Sequence, residues 1–328
     1  MLTPTVIFLI FVALAFDFMN GMHDSANAIA TVVSTRVLKP FQAVLWASLF
    51  NFAAFFIFQS NVASTVGKGI ISPDLVDNAV VFGALSGAIS WNVITWLMGI
   101  PSSSSHALVG GIVGAGVAKG GMDAIIWHGL SNTIYAIVLS PFTGFLIAIL
   151  LMILASWAFV KAHPAWADGV ARKMQLVSSA LYSLGHGSND AQKTAGVIAV
   201  LLYSNHAYKT FTVPNWAIFT CYATMGLGTM LGGWRIVKTM GSKITKLSPM
   251  QGACANLAGA VTLFMATNLG IPVSTTHTIT GAIIGAGMAK RTSSVRWGLA
   301  SSIVWAWIIT MPAAAAMAAM FYWVARLF

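Results

Sequence analysis

The sequence has no glutamate, and its seven acidic residues are all aspartate. Charged residues of both signs fill only 7% of the 328 positions, against about 25% in ordinary soluble domains. So few charges cannot solvate the surface of a soluble protein of this length, which excludes a soluble enzyme. The two cysteines, Cys221 and Cys254, stand in apolar surroundings without metal-ligand spacing. That excludes a disulfide scaffold and leaves buried thiols with a packing role. The net charge of +10 would point to nucleic acid only if a soluble segment gathered it on one face. No segment is long enough, and no nucleic-acid partner is expected.

Long apolar runs are what the chain does have. Apolar residues make up 58% of it, in stretches such as 139–160 and 303–324 that suffice to span a hydrocarbon core about 30 Å thick. This excludes a disordered chain. The fold class expected is an all-α polytopic membrane protein in the lipid bilayer. Ala13-Leu14-Ala15 mimics a signal-peptide cleavage site, but no Lys or Arg precedes the apolar run. Residues 4–34 therefore read as a retained, interrupted membrane helix.

The chain repeats itself. Residues 99–119 read GIPSSSSHALVGGIVGAGVAK and residues 270–290 read GIPVSTTHTITGAIIGAGMAK, with 12 of 21 positions identical at an offset of 171. A shorter pair, Gly21-Met22-His23-Asp24-Ser25-Ala26-Asn27 and Gly187-Ser188-Asn189-Asp190-Ala191-Gln192-Lys193, is offset by 166. Pro141 and Pro312 repeat the 171 offset. Duplication for stacking alone would repeat apolar residues. Here Asp, Asn, Ser, Thr and His recur at membrane depth, where polar groups are costly and mark function.

Helices are predicted near 4–34, 41–65, 76–99, 104–119 and 130–159, then near 176–204, 214–238, 250–270, 275–290 and 297–325. This gives an N-terminal repeat over 1–159, a cytoplasmic linker over 160–175 and a C-terminal repeat over 176–328. The Gly-rich segments 104–119 and 275–290 are short, as re-entrant segments or half-helices are. Five crossings per half, an odd number, would invert the second repeat relative to the first. With both termini outside, twelve basic residues fall on inside loops (Arg36, Lys39, Lys161, Arg172, Lys173, Arg235, Lys238, Lys243, Lys246, Lys290, Arg291 and Arg296). Four fall outside: Lys68, Lys119, Lys209 and Arg326. That obeys the positive-inside rule, and inverted repeats with broken helices are a transporter signature.

Asn20, His23, Asp24 and Asn27 interrupt an apolar helix and share one face at spacings of three and four. Asp190 repeats the buried carboxylate, with Asn189, Gln192 and Lys193 around it. Carboxylates at this depth mark ion paths; Asn20, His23, Asp24, Asn189 and Asp190 are the candidate cation-coupling residues. Asp17 matches Ser183 in the other half, and reads either as a relay or as the lining of an aqueous vestibule. The Ser102-Ser103-Ser104-Ser105 and Ser274-Thr275-Thr276 runs follow Pro101 and Pro272 and cap helix starts. Helix N-termini bind anions through free N–H groups and a partial positive charge. Ser103, Ser104, Ser105, Ser274, Thr275 and Thr276, with Asn27, Gln192 and Lys193, are the candidate anion-binding residues, suited to phosphate or sulfate. His106 and His277 read equally as orienting groups or as ligands. There is no catalytic set: His-Glu-x-x-His is missing, and no Glu is present to act as a general base. A passive channel would need rings of charge or carbonyls instead of a duplicated carboxylate.

Gly187–Lys193 and Pro272–His277 resemble the motifs of the inorganic phosphate transporter family, and the resemblance covers nearly the whole chain. His23 stands where many members carry Asn, a variant that looks like the bacterial proton-coupled branch. The resemblance implies phosphate symport with a cation, inverted halves, a homodimer and a place in the plasma (inner) membrane. It places functional roles on Asp24, Asn27, Asp190, Lys193, Ser103, Ser105, Ser274 and Thr276. The coupling ion expected is H⁺, with Na⁺ at Asp24 and Asp190 as the alternative; no further cofactor is expected. Sulfate and metal-phosphate are alternative cargoes.

Overall fold

In the computed structural model, which describes residues 2–327, the chain is α-helical, with one isolated bridge between Ile71 and Ile125 and no strand among the described residues. The first half holds α1 (Pro4–Ser34), α2 (Pro40–Ala53), α3 (Asn61–Gly69), α4 (Asn78–Met98), α5 (Ser104–Gly120) and α6 (Trp127–Ala158). The second holds α7 (Pro164–Ser204), α8 (Asn215–Leu231), α9 (Trp234–Lys238), α10 (Pro249–Asn268), α11 (Thr275–Met288) and α12 (Trp297–Ala325). Among the described residues, α1, α4, α6 and α12 are long and apolar enough to cross a membrane, and the bent α2–α3 pair makes a fifth candidate. The protein is a multi-pass membrane protein.

Several sequence expectations move. The polar motif does not interrupt α1, which is continuous from Pro4 to Ser34. Its polar side chains find partners on neighbouring helices, so the backbone ladder stays intact. The breaks fall elsewhere. The helix expected over 41–65 is α2 and α3, meeting at 84°. The one expected over 214–238 ends at Gly232, whose φ of 74° lies in a region that glycine tolerates, before α9 resumes. Helix α7 starts at Pro164, so most of the expected linker over 160–175 is its first three turns. Pro164 supplies the favoured first-turn residue.

The Gly-rich segments are return limbs of hairpins. Helix α4 ends at Gly99 (φ 68°), and α10 leads into Gly270 (φ 68°). The open ends of the α4–α5 hairpin lie together: Lys119 Nζ donates to Asp77 Oδ2 at 2.6 Å, and Ser72 N to Ala124 O at 3.0 Å. The open ends of α10–α11 meet likewise, through Gln251 Nε2 and Ala286 O at 3.0 Å. In each half, therefore, the short Gly-rich helix runs back along the helix before it. One end of the bundle collects the close of α1 and the starts of α7 and α10, joined by Thr35 Oγ1 donating to Gln175 Oε1 and by Gly252 against the Gln175 amide.

The halves interlock. Gly110 and Gly114 of α5 lie against the backbone of Met311 and Ala315 on α12, and Gly281 and Gly285 of α11 against Pro141 and Phe145 on α6. Small residues permit such close approach between membrane helices. Each half's last helix thus braces the other half's return limb, and with it the limb's N-terminus. The outer faces of α6 and α12 expose apolar side chains, among them Leu139, Phe142, Leu146, Trp305 and Ile308.

Candidate functional site

The hairpin tips meet in the interior. Ser103 caps α5, its Oγ accepting from His106 N at 3.2 Å; Ser274 caps α11, accepting from His277 N at 3.2 Å. The Ser274 hydroxyl donates to Ser103 Oγ at 2.8 Å, so the two caps touch. Behind each cap the first-turn N–H groups of Ser104, Ser105, Thr275 and Thr276 have no acceptor within their own helices. All six hydroxyl residues are buried. Two helix N-termini and six hydroxyls converge without an acidic group among them, which is the chemistry of an oxyanion site.

Two carboxylates flank this junction. Asp24 Oδ2 lies 2.7 Å from Ser104 Oγ, which also lies 2.6 Å from Asn20 Oδ1, so its one proton is shared between them. Asp24 Oδ1 accepts from His23 Nδ1 at 2.7 Å, and His23 Nε2 faces Thr95 and Ser102. Across the junction Asp190 Oδ2 accepts from Thr275 Oγ1 at 2.9 Å, and Oδ1 from Lys193 Nζ at 2.5 Å. Asn27 Nδ2 donates to Thr276 Oγ1 at 2.9 Å, and Lys193 Nζ to Ser105 Oγ at 2.6 Å. Each half's motif thus grips its own hairpin tip through an aspartate and the other half's through Asn27 or Lys193.

Ligand atoms of Asp24, His186 and Asp190 lie within 4.8 Å of one another and could hold a cation. Two bare carboxylates at the outer limit of that range would repel by about 3–4 kcal/mol at an effective dielectric near 20, but the Lys193 ammonium beside Asp190 offsets one of the two charges. A cation at the cluster would offset the other, on Asp24.

The structure does not bring every expected residue here. Gln192 turns away: its Oε1 accepts from Val62 N and its Nε2 donates to Gln59 O, which secures the start of α3. Asn189 holds the second hairpin tip, donating to Thr267 and Ile271 O and accepting from Val273 N. Asp17 accepts from Thr194 Oγ1 at 2.8 Å, outside the hydroxyl cluster. The rings of His106 and His277 pack on each other at 4.3 Å, and His277 stacks on Trp307 at 3.7 Å; both line the α6–α12 groove. His186 is the residue that sequence reasoning missed. At an offset of 166 it matches Asn20, while Asn189 matches His23. Both halves carry one His and one Asn before the Asp in exchanged order, a signal legible in the sequence.

A family model described as the phosphate transporter family matches residues 20–171 and again 161–318. The chain is 61% identical over 325 residues to a probable low-affinity inorganic phosphate transporter of Rhizobium meliloti, covering 99% of this chain and 97% of that one. A Bacillus subtilis protein of the same description is 43% identical over 321 residues, covering 97% of this chain and 96% of the other. Among solved structures, one described as the sodium-dependent phosphate transporter matches with a TM-score of 0.91 at 26% identity, over 99% of this chain and 100% of that one.

Proposed function

This chain belongs to the phosphate transporter family, and on that premise we propose that it imports inorganic phosphate with a coupling cation, by alternating access in the plasma membrane. It is a transporter and not an enzyme. The observation that carries the symport reading is the junction of two capped helix starts between two buried aspartates. Phosphate entering there takes the place of the Ser103–Ser274 contact and receives first-turn N–H groups and hydroxyls from both halves. An unneutralised Asp24 would repel it in a weakly screened interior, whereas the Lys193 ammonium already offsets the charge of Asp190. A cation at the cluster converts that repulsion into mutual attraction, and such reciprocity between two ligands is what coupling consists of. The loaded site is near neutral; a half-loaded one is held back. The two repeats, 1–159 and 176–328 with the connection between them, are inverted relative to each other. They act in a homodimer with both termini outside.

The proton is the coupling ion in this reading, because His23 donates to Asp24 at 2.7 Å. Imidazole is the side chain whose charge ordinarily changes between pH 5 and 8. Sodium is the second reading, favoured by the cluster of Asp24, His186 and Asp190 and by the sodium-dependent relative. Uptake of labelled phosphate into proteoliposomes against pH at zero Na⁺ decides between them. Proton coupling gives accumulation driven by the pH gradient alone, and His23→Asn flattens its pH dependence. Accumulation only when Na⁺ is added, at every pH gradient, would establish the sodium reading. Sulfate and metal-phosphate, added as competitors, test the cargo.

The hydroxyls carry a separate prediction. Replacing Ser103 and Ser105, or Ser274 and Thr276, with Ala raises the KM for phosphate roughly tenfold or more, since a hydrogen bond to a charged group contributes about 1.5–3 kcal/mol. Binding weakens without vanishing, because the backbone N–H groups remain. An unchanged KM in both double variants would place the anion elsewhere.

A further inference from the structure

The two halves of the site match residue for residue, and one mismatch changes its charge. Asp24 corresponds to Asp190 and Asn27 to Lys193 at the 166 offset; Ser104 corresponds to Thr275 and Ser105 to Thr276 at the 171 offset. The hydrogen bonds obey this correspondence: Asp24 to Ser104 and Asp190 to Thr275, Asn27 to Thr276 and Lys193 to Ser105. What differs is the occupant of the space beside each carboxylate. In the second half the Lys193 ammonium fills it, lying 2.5 Å from Asp190 Oδ1, 2.6 Å from Ser105 Oγ and 2.6 Å from the Val273 carbonyl oxygen. A carboxylate, a hydroxyl and a carbonyl are the oxygen donors that hard cations take. All three N–H bonds of Lys193 are directed to them, so the ammonium has none left for phosphate, and the residue is 2% exposed. In the first half Asn27 brings no charge, and the second oxygen of Asp24 meets His23 instead.

We propose that Lys193 is a tethered cation standing in the place of an exchangeable coupling ion in the second half, so that phosphate is coupled to cations through the Asp24 half alone. This rests on the cation-coupled reading above. The Asp190–Lys193 pair is neutral in every state of the cycle. Only the charge of Asp24 needs a mobile partner for phosphate to be carried. His106 on α5, Tyr182 and His186 on α7 and, across the cluster, Asp24 on α1 are the other titratable groups around this site, and none of them hydrogen-bonds to the ammonium.

The test copies the first half into the second. Lys193→Asn, which places at the second position the residue found at Asn27, opens a second exchangeable site beside Asp190. It is read in proteoliposomes as steady-state phosphate accumulation at zero membrane potential, under imposed tenfold gradients of H⁺ or Na⁺. One additional coupled cation multiplies accumulation about tenfold per tenfold gradient, so the variant accumulates up to about ten times more than the wild type, at a lower rate. A cation-coupled wild type whose variant reaches the same ratio or a lower one overturns the assignment while leaving the coupling intact. A wild type indifferent to both gradients rejects coupling and the assignment together. Should the variant transport too slowly to reach steady state, cations taken up per chain on phosphate addition are counted on purified protein, with ²²Na⁺ or a pH electrode. One more in the variant than in the wild type supports the assignment, and equal numbers overturn it.

Discussion

Asp24→Asn loses gradient-driven phosphate accumulation by about a hundredfold or more while the protein remains folded, and Asp190→Asn loses it as well, for a different reason. Asn at 24 keeps the shape of the side chain and an acceptor for Ser104, but it removes the carboxylate charge at the junction that is paired with an imidazole and with no ammonium or guanidinium. Nothing then ties cation binding to phosphate binding, and accumulation collapses towards equilibration. Asn at 190 instead leaves the Lys193 ammonium buried beside a neutral amide. Breaking a buried pair in this way costs about 3–5 kcal/mol, enough for a loss of a hundredfold or more. The two variants should therefore separate in detail: Asp24→Asn passes phosphate down its own gradient without cation dependence, whereas Asp190→Asn is poorly active in either direction. Asp168→Asn, at an exposed ion pair with Arg172, is the control and stays near wild type, since such pairs contribute little. Normal accumulation in Asp24→Asn or Asp190→Asn would make those carboxylates structural.

The chemistry of this site was legible because polar residues at membrane depth stand out against a chain with so few charges, and because duplication repeats them. Asp24 and Asp190, the serine and threonine runs, and their placement at helix starts all follow from local sequence rules. Which partner each residue chooses did not follow. Nothing in the spacing of Asn27 or Lys193 says that each reaches the other half's hairpin tip, since that depends on how α1, α7, α5 and α11 pack in space. Gln192 fails for the same reason: it sits within the motif, yet its amide secures the backbone at the start of α3. The hairpins were half legible. Gly99, Gly270 and the prolines after them mark a reversal, but a 17-residue return helix and a short crossing look alike in composition. The continuous α1 shows the converse: polar side chains at membrane depth suggest a break although the backbone has no need of one. His186 lies one residue outside the Gly187–Lys193 repeat, and it answers to Asn20 only as one of a His and Asn pair in exchanged order.

Gly114→Val and Gly281→Val should abolish transport as completely as loss of the aspartates, though neither glycine touches the site. A Cβ at Gly114 would collide with the carbonyl oxygen of Ala315 on α12, and one at Gly281 with that of Pro141 on α6. These are backbone atoms of long helices, so no side chain can rotate away; α5 or α11 must move bodily. Overpacking of this kind costs about 1–3 kcal/mol, more than the roughly 1 kcal/mol by which glycine itself weakens a helix interior, so the sign is destabilising. The functional loss is larger than the loss of stability. Ser103 and Ser274 sit at the N-termini of these same helices and meet at 2.8 Å, and a displacement of about 1 Å at a site built on geometry can cost on the order of a hundredfold. Gly298→Val is the matched control, because a Cβ there meets nothing within 4 Å. The measurements are phosphate uptake in proteoliposomes and thermal unfolding in detergent. The packing account requires uptake to fall far more steeply than the melting temperature in the first two variants, with both near wild type in the third. Full uptake by Gly114→Val or Gly281→Val would mean that the other half's last helix does not set the position of the hairpin tip.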